Sequence, residues 1–243
     1  MESALGINQI DDLMERACLH IAAAEYFEAE RLCVRSLRAA RVNLDFERMA
    51  RIVLPLQEAR RQLREAAWDI GVVALVRSRQ DIPKPLVPGC YLLVPPMIGR
   101  DGTNLRETLS RRGTPASVLT REPLTRTGKW PIVGVGPMVV RTQVDPPWPI
   151  ERVERSVSKD EEHRLPPIEW FVRASEALGD AAIAALSPSD HPHYRVDDLL
   201  DFLAAHPEHE KLHQRLERAC RAAIGTAEPI MPRRRGIEDP YSF

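Results

Sequence analysis

The period of the apolar residues changes at Gly71, and no other feature restricts the fold as much. Upstream, Ile10, Leu13, Met14, Ala17, Cys18 and Ile21 recur at the 3.6-residue spacing of an amphipathic helix. Ala29, Leu32, Cys33, Ser36, Leu37 and Ala40 mark a second helix, from about Tyr26 to Ala40. A third helical stretch covers 44–69. Pro55 lacks a backbone donor and is expected to break or kink it near Leu54. Downstream of Gly71 the runs become short and β-branched. Val72–Val76, Cys90–Val94 and Ala116–Thr120 read as buried strands, with an extended loop through Pro83, Pro85 and Pro88. Ile132–Val135 and Met138–Val140 read as a fourth strand, bent at Gly136-Pro137. Asn104 with Glu107 gives a capping-box-like start to a helix over 104–112, stopped by Gly113.

Helical spacing returns after Asp145–Pro149. Residues 150–166 are mostly charged, and 149–166 reads as a linker or arm. Pro167 opens a helix to about Leu186, with Phe171, Ala174, Leu178, Ala181 and Ala185 on its inner side. Two more helices are expected at 195–204 and 207–224. The tail, 226–243, has three prolines, Arg233–Arg235 and no apolar period, and reads as disordered. The expected fold is therefore α+β and predominantly helical. Helical N-terminal (1–70) and C-terminal (167–225) parts flank a small mixed α/β unit (71–148).

Residues 24–37, Ala24-Glu25-Tyr26-Phe27-Glu28-Ala29 followed by Leu32-Cys33 and Ser36-Leu37, carry a resemblance. They resemble the turn and second helix of a tetratricopeptide repeat, with Ala24, Tyr26 and Ala29 at that family's small, aromatic and close-packing positions. The resemblance covers about residues 9–40. The Trp-Leu-Gly start is absent and no second copy follows at the 34-residue step, so it implies one repeat-like hairpin rather than an array. A groove for a partner segment is then expected around Tyr26 and the helix that contains His20.

Charge is unevenly spread. Residues 1–70 carry ten basic and twelve acidic side chains, 71–148 eleven and five, and 149–243 thirteen and eighteen. The basic middle suits an anionic ligand or the acidic helices of its own chain, and the modest, scattered excess favours the second. Aromatic residues make up 5% and do not interleave with the basic ones, so nucleic acid is not expected as a partner. The four cysteines, Cys18, Cys33, Cys90 and Cys220, form no C-x-x-C pair and read as buried thiols in a reducing compartment. No apolar run approaches the ~20 residues of a membrane span. Met1–Gly6 lacks the pattern of a signal peptide. No membrane association is expected, and the expected location is cytoplasmic.

Two motifs point to chemistry. His209-Glu210-Lys211-Leu212-His213 reads H-E-x-x-H, the signature of the zinc metalloproteases called zincins. His209 and His213 on one helix face would ligate zinc, and Glu210 would act as general base on the metal-bound water. Against this, Pro207 and the acids after it already make a helix start, Lys211 is charged, and a third ligand is hard to place beyond Glu228 or Glu238. The second motif is Gly99-Arg100-Asp101-Gly102-Thr103-Asn104, a loop leading into a helix. Arg100, Gly102 and Asn104 there would hold a phosphate or nucleotide. With neither motif complete, the sequence favours a non-catalytic cytoplasmic interaction or scaffold protein that binds another protein or peptide. No cofactor is expected, zinc being the alternative.

Overall fold

The computed structural model describes residues 6–126, 128–148 and 165–230. The fold is α+β and predominantly helical, with seven helices and a five-stranded mixed sheet among the described residues. No helix among them is long and apolar enough to cross a membrane. The chain divides into two compact units. One holds the residues up to Gln62, Pro137–Val139 and those from Ile183 onward, and the other holds Leu63–Gly136 and Val140–Ala182. The proposed arm over 149–166 and tail over 226–243 fall mostly outside the described residues, as do Met1–Leu5.

The first unit is helical. It contains α1 (Ile7–Ala22), α2 (Tyr26–Val42), the first part of α3 (Phe46–Trp68), α6 (Pro192–Ala205) and α7 (Glu210–Ala223). Its α2 buries the stripe Ala29, Leu32, Cys33, Ser36, Leu37 and Ala40. Buried Ser36 is satisfied locally, its hydroxyl donating to the Leu32 carbonyl at 2.9 Å. Ala23–Glu25 joins α1 to α2 and Asn43–Asp45 joins α2 to α3, and the two connectors are built alike. Ala24 (φ 59°) and Leu44 (φ 54°) are left-handed. The N–H of Glu25 reaches the His20 carbonyl and that of Asp45 the Ala40 carbonyl, at 2.8 and 2.9 Å. The N–H groups of Ala24 and Leu44 reach Ile21 and Arg41. Both are Schellman endings with a side chain where glycine is the usual occupant.

Bidentate arginines then tie helix to helix. Arg48 on α3 donates to Asp11 of α1 at 2.9 and 2.8 Å and to Asp45 at 2.8 Å. Arg41 on α2 donates to both oxygens of Asp197 on α6, at 2.7 and 2.9 Å. The Arg48 guanidinium holds the Asp11 carboxyl below the usual carboxylate range. Pro55 does not end α3, contrary to expectation, since the helix runs unbroken from Phe46 to Trp68. Proline removes only the donor to the Arg51 carbonyl, and Arg51 is exposed to water there. Buried Ile52, Val53, Leu56 and Ala59 on either side hold the helix together.

The second unit is built on the sheet β1 (Val73–Val76), β2 (Gly89–Leu93), β3 (Ala116–Arg121), β4 (Trp130–Val135) and β5 (Val139–Val144), in that spatial order. Strands β1, β2 and β3 are parallel and β3–β4 is antiparallel. The expected bent fourth strand is two strands, β4 and β5. Gly136–Met138 turns the chain back, a connection too short for a parallel crossover. All five β2 residues are buried, as a central parallel strand requires. The crossover helix α4 (Gly99–Arg111) packs Leu105 and Leu109 on Val76, Tyr91, Leu93 and Val118. Within this unit Trp130 meets Trp148 and Trp170 edge-on, at 5.7 and 5.3 Å between ring centroids. The Trp170 indole N–H donates to the Asp145 carbonyl at 2.8 Å. Trp170 lies on α5 (Ile168–Ala184), whose buried side runs Phe171, Ala174, Leu178 and Ala182. Ala181 is only half-buried and Ala185 exposed, so the stripe turns one position from the expected one.

Candidate functional sites

The H-E-x-x-H residues sit at a helix start, not within a helix. His206 closes α6, and His209 is the N-cap of α7, so helical structure begins at Glu210 rather than at Pro207. His209 and His213 are each only 1% exposed. Both ring nitrogens of His213 are engaged. Nδ1 lies 3.0 Å from the His209 carbonyl oxygen, and Nε2 lies 3.3 Å from the Arg60 guanidinium. A carbonyl only accepts and a guanidinium only donates, so the proton sits on Nδ1 and the Nε2 lone pair faces Arg60. Arg60 is fixed in turn by Glu30 of α2 at 2.8 Å. A metal ion would have to displace a cation to reach that lone pair, so these residues do not fit a zinc centre. Among the described residues no group of three or more His, Cys, Asp or Glu side chains is placed to hold a metal ion. Leu216 and Ala219, where the longer zinc signature needs glycine and histidine, are buried apolar residues of α7.

His191 and His193 begin α6 and His206 ends it, so these histidines stay at its opposite ends. His193, 3% exposed, packs against the Phe46 ring at a tilt, 4.5 Å between centroids, and lies beside His191 at 4.9 Å. Its Nε2 donates to the Thr226 hydroxyl at 3.0 Å, because that hydroxyl gives its own proton to the Ala223 carbonyl. Burial, then the neighbouring His191, pushes the pKa of His193 below the usual histidine value. Burial also pushes the Cys33 and Cys220 thiols up to about 12, which leaves them unreactive at neutral pH.

Gly99–Asn104 is not a loop. It forms the first six residues of α4, whose N-cap is Ile98. Asp101 turns back to accept the Ile98 N–H at 3.0 Å, so a carboxylate already occupies the helix start. Both glycines are there for close packing. A Cβ on Gly102 would lie 2.2 Å from Thr120 Oγ1, and one on Gly99 would lie 2.4 Å from Val135 Cγ2. Thr103 adds a hydrogen bond to the Val135 carbonyl at 2.7 Å. Gly102 therefore faces the sheet, while Arg100 and Asn104 point to solvent. The three residues proposed to share a phosphate do not converge.

At the proposed groove, His20 Nδ1 lies 2.5 Å from Glu25 Oε2, and this pair closes the α1–α2 turn beside half-buried Tyr26. The more open surface is the outward side of α2. Arg31, Arg35, Arg38 and Val42 follow at i, i+4, i+7 and i+11, all exposed, with Val42 at 70%. Arg31 pairs with Glu28 of its own helix. Neither Arg35 nor Arg38 has an ion-pair partner among the described residues. Sequence reading followed the buried stripe of α2 and passed over the opposite one, although both have the same period.

Comparison with protein-family models, with curated proteins and with solved structures finds no match to this chain.

Proposed function

We propose that the chain is a non-catalytic interaction or scaffold protein of the cytoplasm, and that the outward face of α2 holds an acidic segment of a partner protein. The row Arg31, Arg35, Arg38 and Val42 carries this reading. Three guanidiniums in line, two of them without a carboxylate in the described chain, complement a segment rich in Asp and Glu. Val42 adds an apolar contact at the end of the row. An acidic protein segment suits this face better than nucleic acid, because no aromatic ring stands among these arginines for a base to stack on. The hairpin's likeness to a tetratricopeptide repeat supports an interaction role. The engaged His213 and the packed glycines of α4 remove the support for either motif-based activity. Four free cysteines, of which Cys18 is exposed rather than buried as expected, suit a reducing compartment.

The test is fluorescence anisotropy with a labelled peptide rich in Asp and Glu that carries leucines at helical spacing, beside a single-stranded RNA of similar charge. The expected result is saturable peptide binding that weakens with salt. The R35E/R38E double variant should weaken it by about tenfold or more, some 1.4 kcal/mol. Equal affinity of the variant, or preference for the RNA, overturns the reading.

A further inference from the structure

Because β1, β2 and β3 are parallel, their carboxyl ends share one edge of the sheet. Val76 pairs with Leu93 and Leu93 with Thr120, so the next residues, Arg77, Val94 and Arg121, form one row across that edge. Val76 and Leu93 belong to the α4 side of the sheet, and Thr120 faces Gly102 of α4. Side chains alternate along a strand, so Arg121, the last residue of β3, is directed to the opposite side, and Arg77 and Val94 directly follow the ends of β1 and β2. Two strand spacings, about 10 Å, separate the two arginines, with the aliphatic Val94 between them.

Arg121 is unusual for a half-buried cation. Its guanidinium lies over the Trp130 ring, 4.7 Å from the centroid. Its Nε is buried without a hydrogen-bond partner. Among the described residues neither Arg121 nor Arg77 has a side-chain ion pair. Each arginine has an acid close by in the chain. Glu122 pairs with Arg141 at 3.2 Å, and Asp81 accepts the backbone N–H groups of Arg77 and Ser78 at 2.8 Å each. Burial, and then the charge of Arg77, lowers the pKa of Arg121, whose own guanidinium has no carboxylate partner among the described residues, while Asp81 offsets part of the Arg77 charge.

We propose that Arg77 and Arg121 form a site for a small oxyanion, a phosphate or carboxylate group held between the two guanidiniums above Val94. The planar fork of Arg121, held over the Trp130 ring, carries a buried Nε–H without a partner that such a group would satisfy. This site is separate from the α4 start and does not depend on the reading of α2.

Isothermal titration of the full chain with inorganic phosphate, and separately with acetate, at ionic strength matched by chloride, tests it. The expected result is one saturable site for at least one of the two anions; which one binds tells phosphate from carboxylate. Affinity should fall about tenfold or more in Arg121→Met and in Arg77→Met, the loss of one charge-assisted contact. Arg121→Met should fold at least as well as the wild type, because it removes an unpaired, desolvated charge. If it does not fold, Arg77→Met decides. No saturable binding of either anion beyond the chloride control, or binding unchanged in the variants, overturns the proposal.

Discussion

Replacing Gly102 by alanine should destabilise the sheet unit, although glycine is a poor residue within a helix. On propensity alone the change is favourable by about 1 kcal/mol. The new methyl, however, would stand 2.2 Å from Thr120 Oγ1 and 3.8 Å from Leu93 Cδ2. Thr120 is 2% exposed on β3, and a β-branched side chain there has few rotamers to retreat into. Overpacking of this kind costs roughly 1–3 kcal/mol, so the net effect should be a loss of up to about 2 kcal/mol. The clash is with one oxygen, since the Thr120 Cβ itself lies at an ordinary 3.6 Å. In a Thr120→Ala background, Gly102→Ala should therefore stabilise by about 1 kcal/mol, a coupling of about 1–3 kcal/mol. Urea unfolding followed by tryptophan fluorescence is the assay. All four tryptophans, Trp68, Trp130, Trp148 and Trp170, belong to this unit, so the signal reports on it. A Gly102→Ala protein more stable than wild type, or an effect independent of residue 120, would refute the packing argument.

Further outcomes follow from the helical unit. Ala24→Gly should raise stability by about 1 kcal/mol, because Ala24 is exposed and left-handed at φ 59°; an unchanged or lower urea midpoint would contradict the assigned helix ending. His193, whose pKa is lowered by burial, is neutral in the fold. Its contribution is complete above the unfolded value of about 6.5 and is lost as pH falls below it, by at most about 1.4 kcal/mol per pH unit until the folded pKa is reached. His193→Gln should flatten that slope between neutral and mildly acidic pH, and an unaltered slope would show that the histidine is not the titrating group. His213→Ala should lower the thermal midpoint equally with and without a strong chelator, since its partners are Arg60 and a carbonyl; chelator-dependent stability of the wild type would favour a metal.

Local patterns carried much of the fold. The buried stripe of α2 and the three parallel strands follow from period and β-branching, which need no distant information. The helix endings at Ala24 and Leu44 did not stand out because neither residue is glycine. The backbone there is held by hydrogen bonds back to His20 and Ala40. The α4 start was missed for the opposite reason. Gly99 and Gly102 read as a loop locally, yet their role is to admit Val135 and Thr120, more than 15 residues away in the chain. Likewise His213 looks like a metal ligand until Arg60, 153 positions earlier, is beside it. Arg77 and Arg121 meet only through the strand register.

Amide NMR of isotope-labelled protein, titrated with the acidic peptide, tests the claim for α2 most directly. The account predicts shift changes concentrated between Arg31 and Val42 and absent in R35E/R38E. Changes spread over other helices, or none on α2 at saturating peptide, would contradict it.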